Sequence, residues 1–85
     1  MAQLNVRTFV ADWCETCRKV IPSLKQLESQ YQNIDWENLD PDTVGMEYSL
    51  SAIPTVIFTK DGVELERVIG ERPKVVYEQL INKYA

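Results

Sequence analysis

The sequence predicts an α/β domain in which helices flank both faces of a mixed four-stranded sheet, in the order β-α-β-α-β-β-α. Three observations carry this. In the first half, short runs rich in β-branched and aromatic residues alternate with a longer amphipathic stretch, the pattern of a parallel pair joined by a crossover helix. In the second half, Lys60-Asp61-Gly62 separates two further β-rich runs and reads as a hairpin turn. The chain then returns to helical spacing. Its 85 residues suit a single domain over 1–85, near the lower end of what folds without help.

Leu4 to Ala11 forms the first strand, with Val6, Thr8 and Val10 on one parity and Phe9 on the other, as in a strand buried on both sides. Glu15 to Tyr31 is helical: Val20, Ile21, Leu24, Leu27 and Tyr31 recur at helical spacing, while Arg18, Lys19, Lys25, Gln26 and Glu28 face water. Pro22 falls inside this pattern and is expected to kink it. Ile34 to Asn38 is a second strand, ended by Leu39-Asp40-Pro41-Asp42. A short helix is expected from about Asp42 to Tyr48, weakened by Gly45. Thr55 to Thr59 is the third strand. Val63 to Ile69 runs back antiparallel, with Val63, Leu65 and Arg67 on one face and Glu64, Glu66 and Val68 on the other, and Gly70 ends it. Pro73 suits the first turn of a last helix, Pro73 to Lys83, whose apolar stripe is Val76, Tyr77, Leu80, Ile81 and Tyr84.

Composition narrows the function. An apolar fraction of 45% and a charged fraction of 26% are those of a globular chain with a core, not of a disordered one. Thirteen acids against nine bases give a net charge of −4, which argues against nucleic-acid binding through phosphates. No apolar run reaches the length of a membrane span, and the N-terminus lacks the charged and apolar regions of a signal peptide. The expected compartment is therefore the cytoplasm, and a small acidic surface makes a monomer the expected state.

In that compartment a cysteine pair is catalytic or metal-binding more often than structural. The chain has two cysteines, Cys14 and Cys17, and no histidine. A tetrahedral zinc site would need two further Cys or His ligands. A structural disulfide three positions apart closes a loop so short that it removes little entropy from the unfolded chain. The pair falls where a strand hands over to a helix. The unpaired N–H groups and positive dipole end at a helix start favour thiolate over thiol on Cys14. Cys17, one turn further in, is placed to attack a mixed disulfide formed at Cys14. The acidic residues Asp35, Glu37, Asp40 and Asp42 lack the spacing of a calcium loop and read as a solvated face.

The segment Phe9 to Arg18, Phe-Val-Ala-Asp-Trp-Cys-Glu-Thr-Cys-Arg, resembles the active-site segment of thioredoxins, including Trp13 before the first cysteine. Pro22 matches the proline of that family's active-site helix, and Ala52-Ile53-Pro54-Thr55 resembles its cis-proline stretch. Gly70 falls at a glycine of the family's substrate groove. The resemblance runs from about Leu4 to Tyr84, beginning at the family's second strand. It implies a thioredoxin-like fold and a protein-disulfide reductase with Cys14 as nucleophile, Cys17 as resolving thiol and a groove of Trp13, Ile53, Pro54 and Gly70. It also implies protein disulfides as clients, a thioredoxin reductase-type electron donor, and no bound cofactor beyond the redox-active Cys14–Cys17 disulfide.

The chain departs from the family at three places. Glu15-Thr16 stands between the cysteines in place of Gly-Pro, and the carboxylate of Glu15 opposes a thiolate beside it. Thr8 stands where the family has a buried Asp, and Trp36 where it has a Lys, so neither can titrate. Proton transfer to Cys17 is then expected through water or Asp12. Glu15 and Glu71 place negative charge at the groove rim, which favours neutral or basic clients. Two other functions compete: a glutaredoxin-like enzyme recycled by glutathione, and a thioredoxin-fold binding module with incidental thiols.

Overall fold

The computed structural model describes residues 3–11, 13–44 and 52–85. In chain order these hold β1 (Leu4–Phe9), α1 (Glu15–Gln30), β2 (Asp35–Leu39), α2 (Pro41–Val44), β3 (Thr55–Lys60), β4 (Val63–Ile69) and α3 (Lys74–Tyr84). The sheet order is β2-β1-β3-β4. Strand β1 pairs parallel with β2 and antiparallel with β3, and β3 pairs antiparallel with β4. This is the mixed four-stranded sheet expected from the sequence.

The apolar stripes of both long helices meet one face of the sheet. Val20, Leu24 and Leu27 of α1 and Tyr77 and Ile81 of α3 join Leu4, Val6, Val56, Phe58 and Val68 in one buried cluster. Tyr31, Trp36 and Tyr84 pack against it as partly buried aromatics. Phe9 and Ile57 lie on the opposite face by strand parity and are buried as well, at 0% and 1% exposure. Burial on both faces explains why β1 and β3 read as continuous apolar runs. Each fully buried side chain of this size contributes about 1.5–3 kcal/mol.

Strand β4 breaks the alternation expected of it. Phe58 pairs with Glu66 but Thr59 pairs with Glu64, so Leu65 is the extra residue of a β-bulge. The bulge lets Leu65 and Val68, of opposite parity, both reach the core. The hairpin itself is as read: Asp61 and Gly62 have φ of 55° and 77°, the positive values a type I′ turn requires at both central positions.

Most boundaries fall within a residue or two of expectation, the second strand for instance at Asp35–Leu39 rather than Ile34 to Asn38, and three of the shifts have a visible cause. The first strand ends at Phe9 rather than Ala11, because Cys14 N already donates to Ala11 O at 3.1 Å in the turn that follows. Helix α2 begins at Pro41, one residue earlier than expected. Asp40 accepts from Asp42 N at 2.9 Å, so Asp-Pro acts as cap and first helical residue. The remainder of the helix expected to Tyr48 lies outside the described residues. At α3, Pro73 is the cap itself, with φ −63° and ψ 152°, and the helix starts at Lys74.

Candidate active site

The strand register gathers three connections at one end of the sheet. Phe9 pairs with Thr55, and Thr55 pairs with Ile69. The exit from β1, the entry to β3 and the exit from β4 are therefore neighbours. Helix α1 points its N-terminus to this same end.

Cys14 is the N-cap of α1, with φ −89° and ψ 118°. Its Sγ accepts from Cys17 N at 3.3 Å, and its carbonyl accepts from Arg18 N at 3.2 Å. An N-cap side chain ordinarily offers an oxygen to the third helical N–H; here a sulfur does so. Thr16 Oγ1 lies 3.2 Å from the same sulfur. The hydrogen bond between the two cysteine side chains, and then that of Thr16, hold the Cys14 thiol below its ordinary pKa; burial opposes them. Cys14 as a residue is 9% exposed.

Cys17 is 0% exposed. Burial, followed by the hydrogen bond to Cys14 and the charge there, pushes its pKa up to about 11. Both cysteines are free thiols. Two chemically identical groups one helical turn apart are thus driven in opposite directions.

The other groove residues converge as the register requires. The Ile53–Pro54 peptide bond is cis. Pro54 is buried, its carbonyl accepts from Gly70 N at 2.7 Å, and Thr55 Oγ1 donates to Ala52 O at 2.6 Å. Gly70 has φ +87°, a conformation that favours glycine. Ile53 is half-buried, whereas Trp13 is 64% exposed and Ile69 39% exposed. A shallow cleft of about 480 Å³ runs beside Trp13, lined by Val10, Ala11, Asn38, Leu39, Asp40 and Asp42. Glu15 and Glu71 are exposed, as expected of a rim. Asp12 lies outside the described residues.

Thr8 is 1% exposed, and its hydroxyl donates to Asn38 Oδ1 and, at 3.4 Å, to Glu37 O. Thr8 and Asn38 share a small cavity of about 200 Å³ with Val10, Ile21, Leu24, Lys25 and Glu28. Trp36 Nε1 donates to Tyr31 O at 3.0 Å. The buried Thr8 hydroxyl is therefore satisfied by neutral hydrogen bonds. Asn38 and Thr16 were not singled out by sequence reasoning, and neither carries a spacing signal. Among the described residues, no cluster of three or more His, Cys, Asp or Glu side chains could hold a metal ion.

A family model described as Thioredoxin matches residues 2–83. The chain belongs to the thioredoxin family. It is 40% identical over 80 residues to Thioredoxin of Chlamydia pneumoniae, covering 91% of this chain and 78% of that one. It is 37% identical over 86 residues to Thioredoxin H-type 1 of Nicotiana tabacum, covering 98% and 68%. It is 34% identical to Thioredoxin H8 of Arabidopsis thaliana, of which it spans 57%, little more than half. Among solved structures, Fasciola hepatica thioredoxin superposes with a TM-score of 0.89 at 29% identity, covering 98% of this chain and 82% of that one. Thioredoxin NaTrxh from Nicotiana alata gives 0.89 at 33% identity, covering 96% and 73%. The fold is thioredoxin-like, and thioredoxins are oxidoreductases that typically need no cofactor.

Proposed function

We propose that this thioredoxin-family chain reduces protein disulfides through a Cys14/Cys17 dithiol–disulfide cycle. The observation that carries it is the asymmetry of the pair: Cys14 Sγ caps the helix and is held toward the thiolate, while Cys17 is buried and keeps its proton. In the cycle the Cys14 thiolate attacks one sulfur of a client disulfide. That S–S bond breaks, the client's other sulfur leaves as a thiolate and takes up a proton, and a mixed disulfide to Cys14 forms. Cys17 then loses its proton and attacks Cys14 Sγ. The second client sulfur leaves, the Cys14–Cys17 disulfide closes, and two electrons have passed to the client.

Trp13, Ile53, Pro54 and Gly70 are proposed to form the groove for the client segment, with an acidic rim that favours neutral or basic clients. A thioredoxin reductase-type donor is proposed to return the electrons, in the cytoplasm and to a monomer.

The test is dithiothreitol-driven reduction of a model protein disulfide. Turnover well above dithiothreitol alone is expected, falling to that background in Cys14→Ser. Cys17→Ser is expected to accumulate a mixed disulfide on Cys14. No acceleration by the unmodified chain would contradict the reading.

A further inference from the structure

We infer that Thr16 is a catalytic residue of this chain, its hydroxyl donating a hydrogen bond to the Cys14 thiolate that attacks the client. The inference rests on the reading of Cys14 as nucleophile and adds a group that Cys-x-x-Cys spacing does not require.

The geometry begins with the helix. Cys14 is the N-cap, Glu15 the first helical residue, Thr16 the second and Cys17 the third. The cap's sulfur already accepts from the backbone N–H of Cys17 at 3.3 Å. Thr16 Oγ1 approaches the same atom to 3.2 Å. As a thiol, Cys14 could donate to that oxygen. As a thiolate it has no proton, so the hydroxyl must donate. The contact therefore becomes charge-assisted in the state that does the chemistry, where such bonds are roughly twice as strong as neutral ones.

The two residues between the cysteines differ in what they touch. Glu15 is exposed, whereas Thr16 faces the sulfur and stabilises the thiolate's charge. Among the described residues, the other titratable group acting on the sulfur is Cys17. The loops at 52–54 and at Gly70 bring no ionisable side chain of their own, and Glu71 and Arg72 are the next charged residues along the chain. Stabilising the thiolate also stabilises the reduced form, which makes the chain a weaker reductant than one with an apolar residue at this position.

The experiment is site-mapped alkylation of reduced protein with iodoacetamide across pH, on the full chain and on Thr16→Val and Thr16→Ser. Thr16→Val keeps the shape and removes the hydroxyl; Thr16→Ser keeps the hydroxyl. Thr16 is exposed at a helix start, so both variants are expected to fold. Loss of a hydrogen bond to a charged group shifts that group's titration midpoint by about one pH unit. The Cys14 midpoint is expected to rise by about that much in Thr16→Val and to stay near its original value in Thr16→Ser. Equilibration with glutathione should leave more of Thr16→Val as the disulfide. A Thr16→Val midpoint equal to that of the unmodified chain would overturn the inference, as would an equal rise in both variants. Because alkylation needs no client, loss of the disulfide-reductase reading would show separately, as absent turnover with the Thr16 effect intact.

Discussion

The two ends of the sheet differ in what their hydrogen bonds are for. At the hairpin end, a two-residue turn closes β3 onto β4, Lys60 Nζ donates to Tyr84 O at 2.7 Å, and Tyr84 OH donates to Glu66 at 3.3 Å. Sheet and last helix are tied together there. At the other end, the exit of β1, the entry to β3 and the exit of β4 converge beside a helix start. Trp13 and Ile69 stay exposed there, and a sulfur stands in as helix cap. One end closes the fold, and the other holds the chemistry. Changes at the first should move stability alone, and changes at the second should move turnover with little loss of fold.

Cys14→Ser is the largest expected effect on function and sharpens the contrast most. Serine is a preferred N-cap, so turnover should fall to background while chemical denaturation shows stability within about 1 kcal/mol of the unmodified chain. A large loss of stability would mean that the two roles of this end cannot be separated.

The next effect is a dependence on alkaline pH. Cys17 has a folded pKa of about 11, above that of a free thiol. Its burial as a neutral thiol is costless below the unfolded value of about 8.5. Above that value the unfolded chain loses the proton first, so stability falls with rising pH until the folded value is passed. Cys14, shifted down, acts oppositely: its contribution grows as pH rises through its folded pKa and is complete above the unfolded value. Between about pH 9 and 11 the reduced protein should therefore lose about 2–3 kcal/mol through Cys17, and the disulfide form should keep that part, losing only what buried Tyr77, also pushed up, costs both forms. Denaturant titrations of both forms across that window check this.

A smaller effect comes from two glycines with positive φ, Gly62 at 77° and Gly70 at 87°. A Cβ at Gly62 meets nothing within 4 Å, and one at Gly70 would lie 3.5 Å from Arg72 Nη1, an ordinary contact. Both alanine variants should lose about 1–2 kcal/mol through backbone strain alone. Only Gly70→Ala should also raise the apparent KM for a protein disulfide. Equal KM values in the two variants would remove Gly70 from the groove.

Most of this organisation was legible in the sequence, because β-runs, helical stripes and the Asp-Gly turn are local signals. Cys14, Cys17 and Pro54 were legible for a similar reason: each stands in a short motif, at a helix start or just before a strand. The bulge at Leu65 was not, since one extra residue in a strand leaves the apolar content unchanged. Asp40-Pro41 was read as the end of a strand when it also starts a helix, a dual role that composition alone does not resolve. Thr16 and Asn38 were missed because a hydroxyl or amide has no periodicity. Their meaning lies in the atoms they touch, Cys14 Sγ and the Thr8 hydroxyl.

The measurement that bears hardest on the asymmetry of the pair is which cysteine of the reduced, unmodified chain is alkylated as pH is raised, mapped by mass. Modification at Cys14 with a midpoint below that of a free thiol, with Cys17 protected until strongly alkaline pH, is the expected result. Equal reactivity of the two thiols, or reaction at Cys17 first, would contradict it.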